Sequence, residues 1–231
     1  MQSIVIATTK SWNIENFHDL QHKFSTHYNF NIITSPDVLN YNYLKNINPK
    51  YIFFPHWSWI IPEEIYQNFE CIVFHMTDLP FGRGGSPLQN LILQGIYKTK
   101  ISALKVQKEL DSGDIYLKED LDLSKGNAKE IYENASHIIF TKMIPTFLKI
   151  KLQPKPQLGN ITVFKRRTPQ ESNINTLEPQ TLNKLYDFIR MLDAPKYPKA
   201  FIQINHLKIA FYDAQLLDEK IIGTFEVTIH E

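Results

Sequence analysis

The sequence predicts an α/β chain: a mostly parallel sheet with helices on both faces, followed by a small α+β appendage. Three observations carry this. Short, continuous apolar runs recur at Ser3–Thr9, Phe30–Thr34, Tyr51–Phe54 and Cys71–Met76, with helical spacing between them, which is the pattern of parallel strands buried on both faces. From Pro154 to Thr176 the chain turns polar and irregular, and beyond it an amphipathic helix precedes three short strand-like runs. At 231 residues the chain is long enough for one sizeable core with an appendage, and the expected division is 1–155 and 156–231.

Each element has a local reason. Between the first two strands, Ile14, Phe17, Leu20 and Phe24 lie near helical spacing and predict a helix over Trp12–His27. Ser35-Pro36 ends the second strand, and a short helix covers Val38–Lys45. Pro62 and Pro87 each open a helix, a position where the missing N–H is no loss. Thr99–Val106 and Ile115–Leu123 are joined through the tight Leu110–Asp114 turn, so they are expected as antiparallel additions to the sheet. Asn127 caps a long helix with Ile131, Ala135, Ile138, Ile139 and Met143 on one side, and Pro145 should bend or interrupt it. In the appendage, Leu182, Leu185, Ile189 and Leu192 mark a helix over Glu178–Asp193, and Ala200–Ile204, Leu207–Ala214 and Thr224–His230 read as strands.

Composition narrows the function. The net charge is +1, with no basic excess of the kind that nucleic acid usually demands. The one cysteine, Cys71, lies in an apolar run and is read as a small buried hydrophobe, which suits a reduced, cytoplasmic setting. Neither a membrane span nor a signal segment is evident in the pattern. A soluble intracellular protein without nucleic-acid or membrane partners is expected.

The chemistry concentrates in two turns. His75 leaves the fourth strand and meets Thr77, Asp78, Pro80, Arg83 and Gly84 before the helix at Pro87, and polar sites of open α/β sheets form at such strand ends. A lone histidine is usually a satisfied core residue, but this position points it to a cleft, where a ring titrating near neutrality can move a proton. The second turn is Leu110-Asp111-Ser112-Gly113-Asp114. Alone it is an ordinary turn; taken jointly, His75 and Asp114 form the expected acid/base pair, with Asp78 as the rival carboxylate. Arg83-Gly84-Gly85-Ser86 offers amides and a cation to an anion at a helix start, but it matches neither a Walker loop nor a dinucleotide fingerprint. Trp57 and Trp59 either stack on a flat heterocycle or pack their own loop, and both readings stay open. His18 and His22 have metal-pair spacing without an acidic third ligand, so a solvated face and no metal are expected. Lys165-Arg166-Arg167 and Lys10 are either solvated or placed to meet a phosphate.

These turns resemble the 10-formyltetrahydrofolate-dependent formyltransferases, whose centre is Asn-x-His-x-Ser/Thr-x-x-Pro followed by Arg-Gly, Pro-x-Gln and a Leu-Asp-x-Gly-Asp turn. Here the stretches are Val73-Phe-His75-Met-Thr77-Asp-Leu-Pro80, Arg83-Gly84, Pro87-Leu-Gln89 and Leu110-Asp-Ser-Gly-Asp114, and Ile60-Ile-Pro62 resembles the family's Ile-Leu-Pro. The resemblance covers roughly 1–150 and implies a Rossmann-like catalytic domain. Arg166-Arg167-Thr-Pro169 and Tyr197-Pro198-x-Ala200-Phe201 extend it toward the nucleotide-sugar N-formyltransferases, nearest the branch acting on UDP-4-amino sugars.

What the resemblance implies is an N-formyltransferase of surface-glycan biosynthesis, using 10-formyltetrahydrofolate as co-substrate and a nucleotide-linked 4-amino sugar as acceptor. His75, Asp114 and Thr77 would be catalytic. Trp57, Ile60, Pro62, Leu110, Asp111 and Gly113 would hold the folate. Lys10, Asn13, Asp78, Arg83, Gly84 and Arg166 would bind the acceptor. The family's formyl-oxygen donor Asn is Val73 here, so its replacement is sought in Thr77, a backbone amide, or the loops of Trp57 and Asn13. Glycinamide ribonucleotide and methionyl-tRNA types are the enzyme alternatives, the latter set low because the chain is short and nearly neutral. A non-catalytic folate- or nucleotide-sugar-binding protein is the alternative of another class. The strands at 200–231 suit pairing across a two-fold axis in a homodimer.

Overall fold

The computed structural model describes residues 1–178 and 181–229. The chain forms two compact units: Met1–Arg83 with Lys100–Leu121 and Glu133–Val163, and Gly84–Thr99 with Asp122–Tyr132 and Phe164–Glu231. The division does not fall at one point in the chain, because 84–99 and 122–132 group with the carboxy-terminal residues.

In chain order, the first half contains β1 (Gln2–Ala7), α1 (Ser11–Phe24), β2 (Tyr28–Ile33), α2 (Tyr41–Ile47), β3 (Pro49–Phe54), α3 (Glu63–Asn68) and β4 (Cys71–His75). There follow a two-residue strand β5 (Arg83–Gly84), α4 (Pro87–Leu93), β6 (Lys98–Lys105), β7 (Ile115–Asp122), α5 (Ala128–Ile138) and α6 (Ile144–Lys149). The main sheet has the order β2-β1-β3-β4-β6-β7. β1 runs parallel to β2 and β3, and β3 parallel to β4, whereas β6 pairs antiparallel with β4 and sets Ser102 opposite His75. This is the expected Rossmann-like, mostly parallel sheet. Ile4, Val5, Ile6 and Ala7 of the inner strand are all fully buried, so both faces of β1 are covered. One such aliphatic side chain contributes roughly 1.5–3 kcal/mol on burial. α1 adds Trp12, Phe17 and Leu20 to the core.

Pro145 acts one turn earlier than a simple kink would suggest. Between α5 and α6 the backbone widens into a π-helical turn over Ile139–Met143, where Ile144 N–H bonds five residues back to Ile139. Proline has no N–H to continue an α-helical ladder, and a π turn absorbs the break while keeping Ile139, Phe140 and Met143 buried.

In the second unit, Thr181 caps α7 (Leu182–Arg190) by accepting from Lys184 N–H at 3.3 Å. The expected helix start at Glu178 includes Pro179 and Gln180, and the expected last strand includes His230; these three lie outside the described residues. β8 (Val163–Phe164) pairs with β5, and β9 (Ala200–Ile204), β10 (Leu207–Leu217) and β11 (Lys220–Ile229) form an antiparallel sheet in the order β11-β10-β9. β10 runs past the expected Ala214 because a bulge between Tyr212 and Gln215 restores the register that Asp213 interrupts. The Asp213 N–H is satisfied there by the Asp193 carboxylate at 2.9 Å.

Candidate active site

The site grows from the carboxyl end of β4. The His75 ring is 8% exposed, its Nε2 is 2.7 Å from the Gly82 carbonyl oxygen, and its Nδ1 is 3.5 Å from Asp111 Oδ2. A carbonyl oxygen can only accept, so the Gly82 contact calls for a hydrogen on Nε2, and the Asp111 carboxylate, also an acceptor, calls for one on Nδ1. The turn that supplies Gly82 is held from inside. Buried Thr77 donates its hydroxyl to the same carbonyl at 3.3 Å, while Ser102 on β6 donates to Thr77 O at 2.8 Å and accepts from Leu79 N–H at 3.4 Å. Ser102 is fully buried. Its one signal in the sequence is a hydroxyl inside the apolar run Ile101-Ser102-Ala103-Leu104.

The second turn is clamped to the end of β6. Lys105 N–H donates to Asp114 O at 2.9 Å, and a Cβ on Gly113 would lie 1.8 Å from the Lys105 carbonyl oxygen. Only glycine permits so close an approach. Two residues earlier, Asp111 takes a left-handed φ of 53°, a conformation that aspartate tolerates better than most side chains.

The carboxylate brought to the ring is therefore Asp111, not the expected Asp114. The motif places an aspartate on either side of a tight turn, and the backbone reverses between them. Asp114 enters the ladder leading to β7, whereas Asp111 stands on the limb that faces His75. The rival Asp78 is directed away, since its carboxylate is exposed and pairs with Lys118 Nζ at 2.5 Å.

The remaining expected residues divide. Arg83 places Nε and Nη2 3.1 and 2.8 Å from Gln157 Oε1, and Gln157 Nε2 donates to Asp111 O and Gly113 O at 2.8 Å each. Gln157 was hidden in the polar stretch after Pro154. Asn13 is buried, and its amide donates to Thr8 Oγ1 at 2.8 Å and Pro55 O at 3.0 Å, tying α1 to the end of β3. Both amide hydrogens are committed, so Asn13 does not supply the sought formyl-oxygen donor. The Lys10 ammonium lies 5.9 Å from the Trp12 ring. Val73 is on the same face of β4 as His75, one strand step back, and packs against the apolar core.

Trp57 packs on Phe54 and Trp59 with ring centroids 5.9 and 5.0 Å away, and its indole N–H is buried with no acceptor among the described residues. Nearby in sequence, Ile60 is 85% exposed, as is Leu110 at 65% in its own turn, and Pro62 is exposed as well. Burial, and secondarily Lys10, lower the pKa of His56 to about 3. Gly84 and Arg166 group with the second unit, where Gly84 has φ 100° and Arg166 is exposed. The Arg166 backbone runs so close to Gly85 that a Cβ there would lie 2.5 Å from Arg166 Cβ. Among the described residues, no group of three or more His, Cys, Asp or Glu side chains is arranged to hold a metal ion, and no helix is long and apolar enough to cross a membrane.

A histidine and a carboxylate at neighbouring strand ends, on this sheet, coincide with a known family. The model for formyl transferases matches residues 3–148. The chain belongs to the formyl transferase family. A second model, for the carboxy-terminal domain of methionyl-tRNA formyltransferase, matches residues 169–228 of this formyl transferase. The chain is 28% identical over 185 residues to a methionyl-tRNA formyltransferase of Rickettsia bellii, covering 78% of this chain and 59% of that protein. It is similar to a solved methionyl-tRNA formyltransferase from Clostridium thermocellum, at 53% identity and a TM-score of 0.96, over 99% of this chain and 100% of the other. HypX from Aquifex aeolicus, solved with tetrahydrofolic acid, shares the fold at 14% identity and a TM-score of 0.73, over 91% of this chain and 37% of that one.

These likenesses correct the expected branch. The nucleotide-sugar acceptor and the glycan-biosynthesis role conflict with relatives that are methionyl-tRNA formyltransferases, and so does the exclusion of a nucleic-acid partner. Near-neutral charge misled because a net value is silent about a local surface, and the appendage taken for a sugar-enzyme tail matches the carboxy-terminal domain of the tRNA enzymes. The chain spans 56–59% of the length of the first curated relatives it matches.

Proposed function

We propose that this formyl transferase moves a formyl group from 10-formyltetrahydrofolate to the α-amino group of methionyl-tRNA. The observation that carries the reading is the His75–Asp111 pair at the end of β4, within the stretch that the family model matches. Relatives named as methionyl-tRNA formyltransferases support the acceptor, and a HypX of the same fold solved with tetrahydrofolic acid supports the donor.

The chemistry assigns each group a task. The neutral amine attacks the formyl carbon, a C–N bond forms, and negative charge grows on the former carbonyl oxygen. Collapse breaks the bond from that carbon to folate nitrogen; the amine loses a proton and the folate nitrogen gains one. His75, with its hydrogen on Nε2, donates to the developing oxyanion, a kind of contribution worth about 3–4 kcal/mol in other acyl transfers. To do so it exchanges the Gly82 carbonyl for the substrate oxygen. Asp111 faces Nδ1, orients the imidazole and stabilises positive charge on it while Nε2–H serves the oxyanion. Thr77 holds the Gly82 turn, and the exposed apolar side chains of Ile60 and Leu110 suit the flat face of a pterin. Val73 leaves position 73 without a side-chain donor, which throws more of the oxyanion's stabilisation onto His75.

The test mixes the protein with 10-formyltetrahydrofolate and methionyl-tRNA and follows tetrahydrofolate release together with formylmethionyl product. Turnover that disappears in His75→Ala supports the reading. Full turnover in that variant, or none in the wild-type protein with this acceptor, overturns it.

A further inference from the structure

The residues of 155–162 form a strap that hydrogen-bonds the backbone of each of the two residues, Gly82 and Asp111, whose oxygens face His75. At its start, Lys155 exchanges backbone hydrogen bonds with Ile115 at 2.8 and 2.9 Å. At its end, Thr162 accepts from Gly82 N–H through its hydroxyl at 2.6 Å and from Arg83 N–H through its carbonyl at 3.0 Å. Gly82 is the residue whose carbonyl meets His75 Nε2. Midway, Gln157 reaches the other turn, whose Asp111 carboxylate meets Nδ1.

We propose that Gln157 is a positioning residue for the His75–Asp111 pair: its amide locks the 111–113 turn to Arg83 and so fixes where the Asp111 carboxylate meets the ring. The proposal rests on the reading of the site given above. The amide is saturated. Both Nε2 hydrogens go to carbonyls, of Asp111 and Gly113 at 2.8 Å, and Oε1 accepts twice from Arg83 at 2.8 and 3.1 Å. The reverse orientation would set an oxygen against two carbonyls and an NH2 against a guanidinium, so the partners fix which way the amide points. The left-handed φ at Asp111 explains why such a lock is needed. Held there at a cost, the residue relaxes toward an ordinary conformation when its carbonyl loses its donor, and its carboxylate turns away from the ring. Neither a glutamate nor an aliphatic side chain of the same reach replaces the amide. A carboxylate keeps Arg83 but repels the two carbonyls, and methionine loses both sets of bonds.

The experiment uses the full chain and compares Gln157→Glu and Gln157→Met with Asp111→Asn and His75→Ala. Tetrahydrofolate release is followed across pH, with kcat and KM for the folate donor separated and thermal midpoints recorded. Displacing a reacting group by about an ångström costs on the order of 100-fold in rate. The expected result is a fall of that order in kcat for both Gln157 variants, little change in KM, and an acid limb of the pH–rate profile displaced in the direction seen for Asp111→Asn. Gln157→Glu retains its Arg83 contact and so should keep a near wild-type thermal midpoint, which separates positioning from stability. Wild-type kcat and pH profile in both Gln157 variants, with kcat lowered in Asp111→Asn and lost in His75→Ala, would overturn the positioning role and leave the site reading standing. Full turnover in His75→Ala would instead overturn the site reading.

Discussion

Asp111 Oδ2 stands 3.5 Å from His75 Nδ1 because Gly113, two residues on, lets its turn press against the Lys105 carbonyl. The contact is a product of backbone geometry: a left-handed aspartate, a glycine without room for a side chain, and a turn held against the last residue of β6. Everything proposed for the chemistry depends on this turn keeping its shape.

Gly113→Ala tests the turn itself. A methyl group 1.8 Å from the Lys105 oxygen cannot be accommodated without moving the turn or the end of β6. Stability should fall by about 1–3 kcal/mol or more, as overpacking does. Turnover should fall further than stability predicts, by roughly 100-fold at a temperature where the variant is folded. Denaturant midpoints and tetrahydrofolate release together check both; an alanine variant that matches wild type in each would show that the turn is not clamped.

Ser102→Ala tests the first turn. Its hydroxyl serves Thr77 O and Leu79 N–H at once, and both lie in the interior. Removing it leaves two buried backbone groups with one partner fewer, a loss of about 1–3 kcal/mol measured by urea unfolding. Unchanged stability would place the anchoring of this turn elsewhere.

His56 makes stability depend on pH. Burial, then Lys10, hold its pKa near about 3 in the folded chain, against 6.5 for an unperturbed ring. Between these values the unfolded chain binds the extra proton, so stability is complete above about pH 6.5 and declines as pH falls toward about 3. His56→Asn, which also tolerates the left-handed φ of 52°, should remove part of that slope. Urea unfolding at about pH 7 and about pH 4.5 measures it; equal slopes in the variant and the wild type would dismiss this role for His56.

The sheet was legible because β1, β3 and β4 are unbroken apolar runs, and a parallel strand buried on both faces leaves no other mark. His75, Thr77 and the Leu110–Asp114 turn were legible by the same logic, as polar residues at strand ends. The choice of Asp114 over Asp111 failed because nothing in Asp-Ser-Gly-Asp records which limb of the turn faces the histidine; that is set by Gly113 against Lys105, a contact across strands. Gln157 and Ser102 were invisible for a related reason, being polar residues in a loop and a strand whose partners are brought by folding. The π turn before Pro145 and the bulge at Asp213 show the same limit, since one residue signals an interruption without saying how the backbone absorbs it. The acceptor was misread because residues 169–228 carry little motif of their own.

The most direct measurement compares Asp111→Asn with Asp114→Asn in formyl transfer from 10-formyltetrahydrofolate to methionyl-tRNA. Asparagine keeps the size of each side chain and removes its charge. The geometry predicts that Asp111→Asn loses on the order of 100-fold or more in kcat, while Asp114→Asn stays within a few-fold of wild type. The reverse pattern, or two unaffected variants, would contradict the assignment of Asp111 as the carboxylate that serves His75.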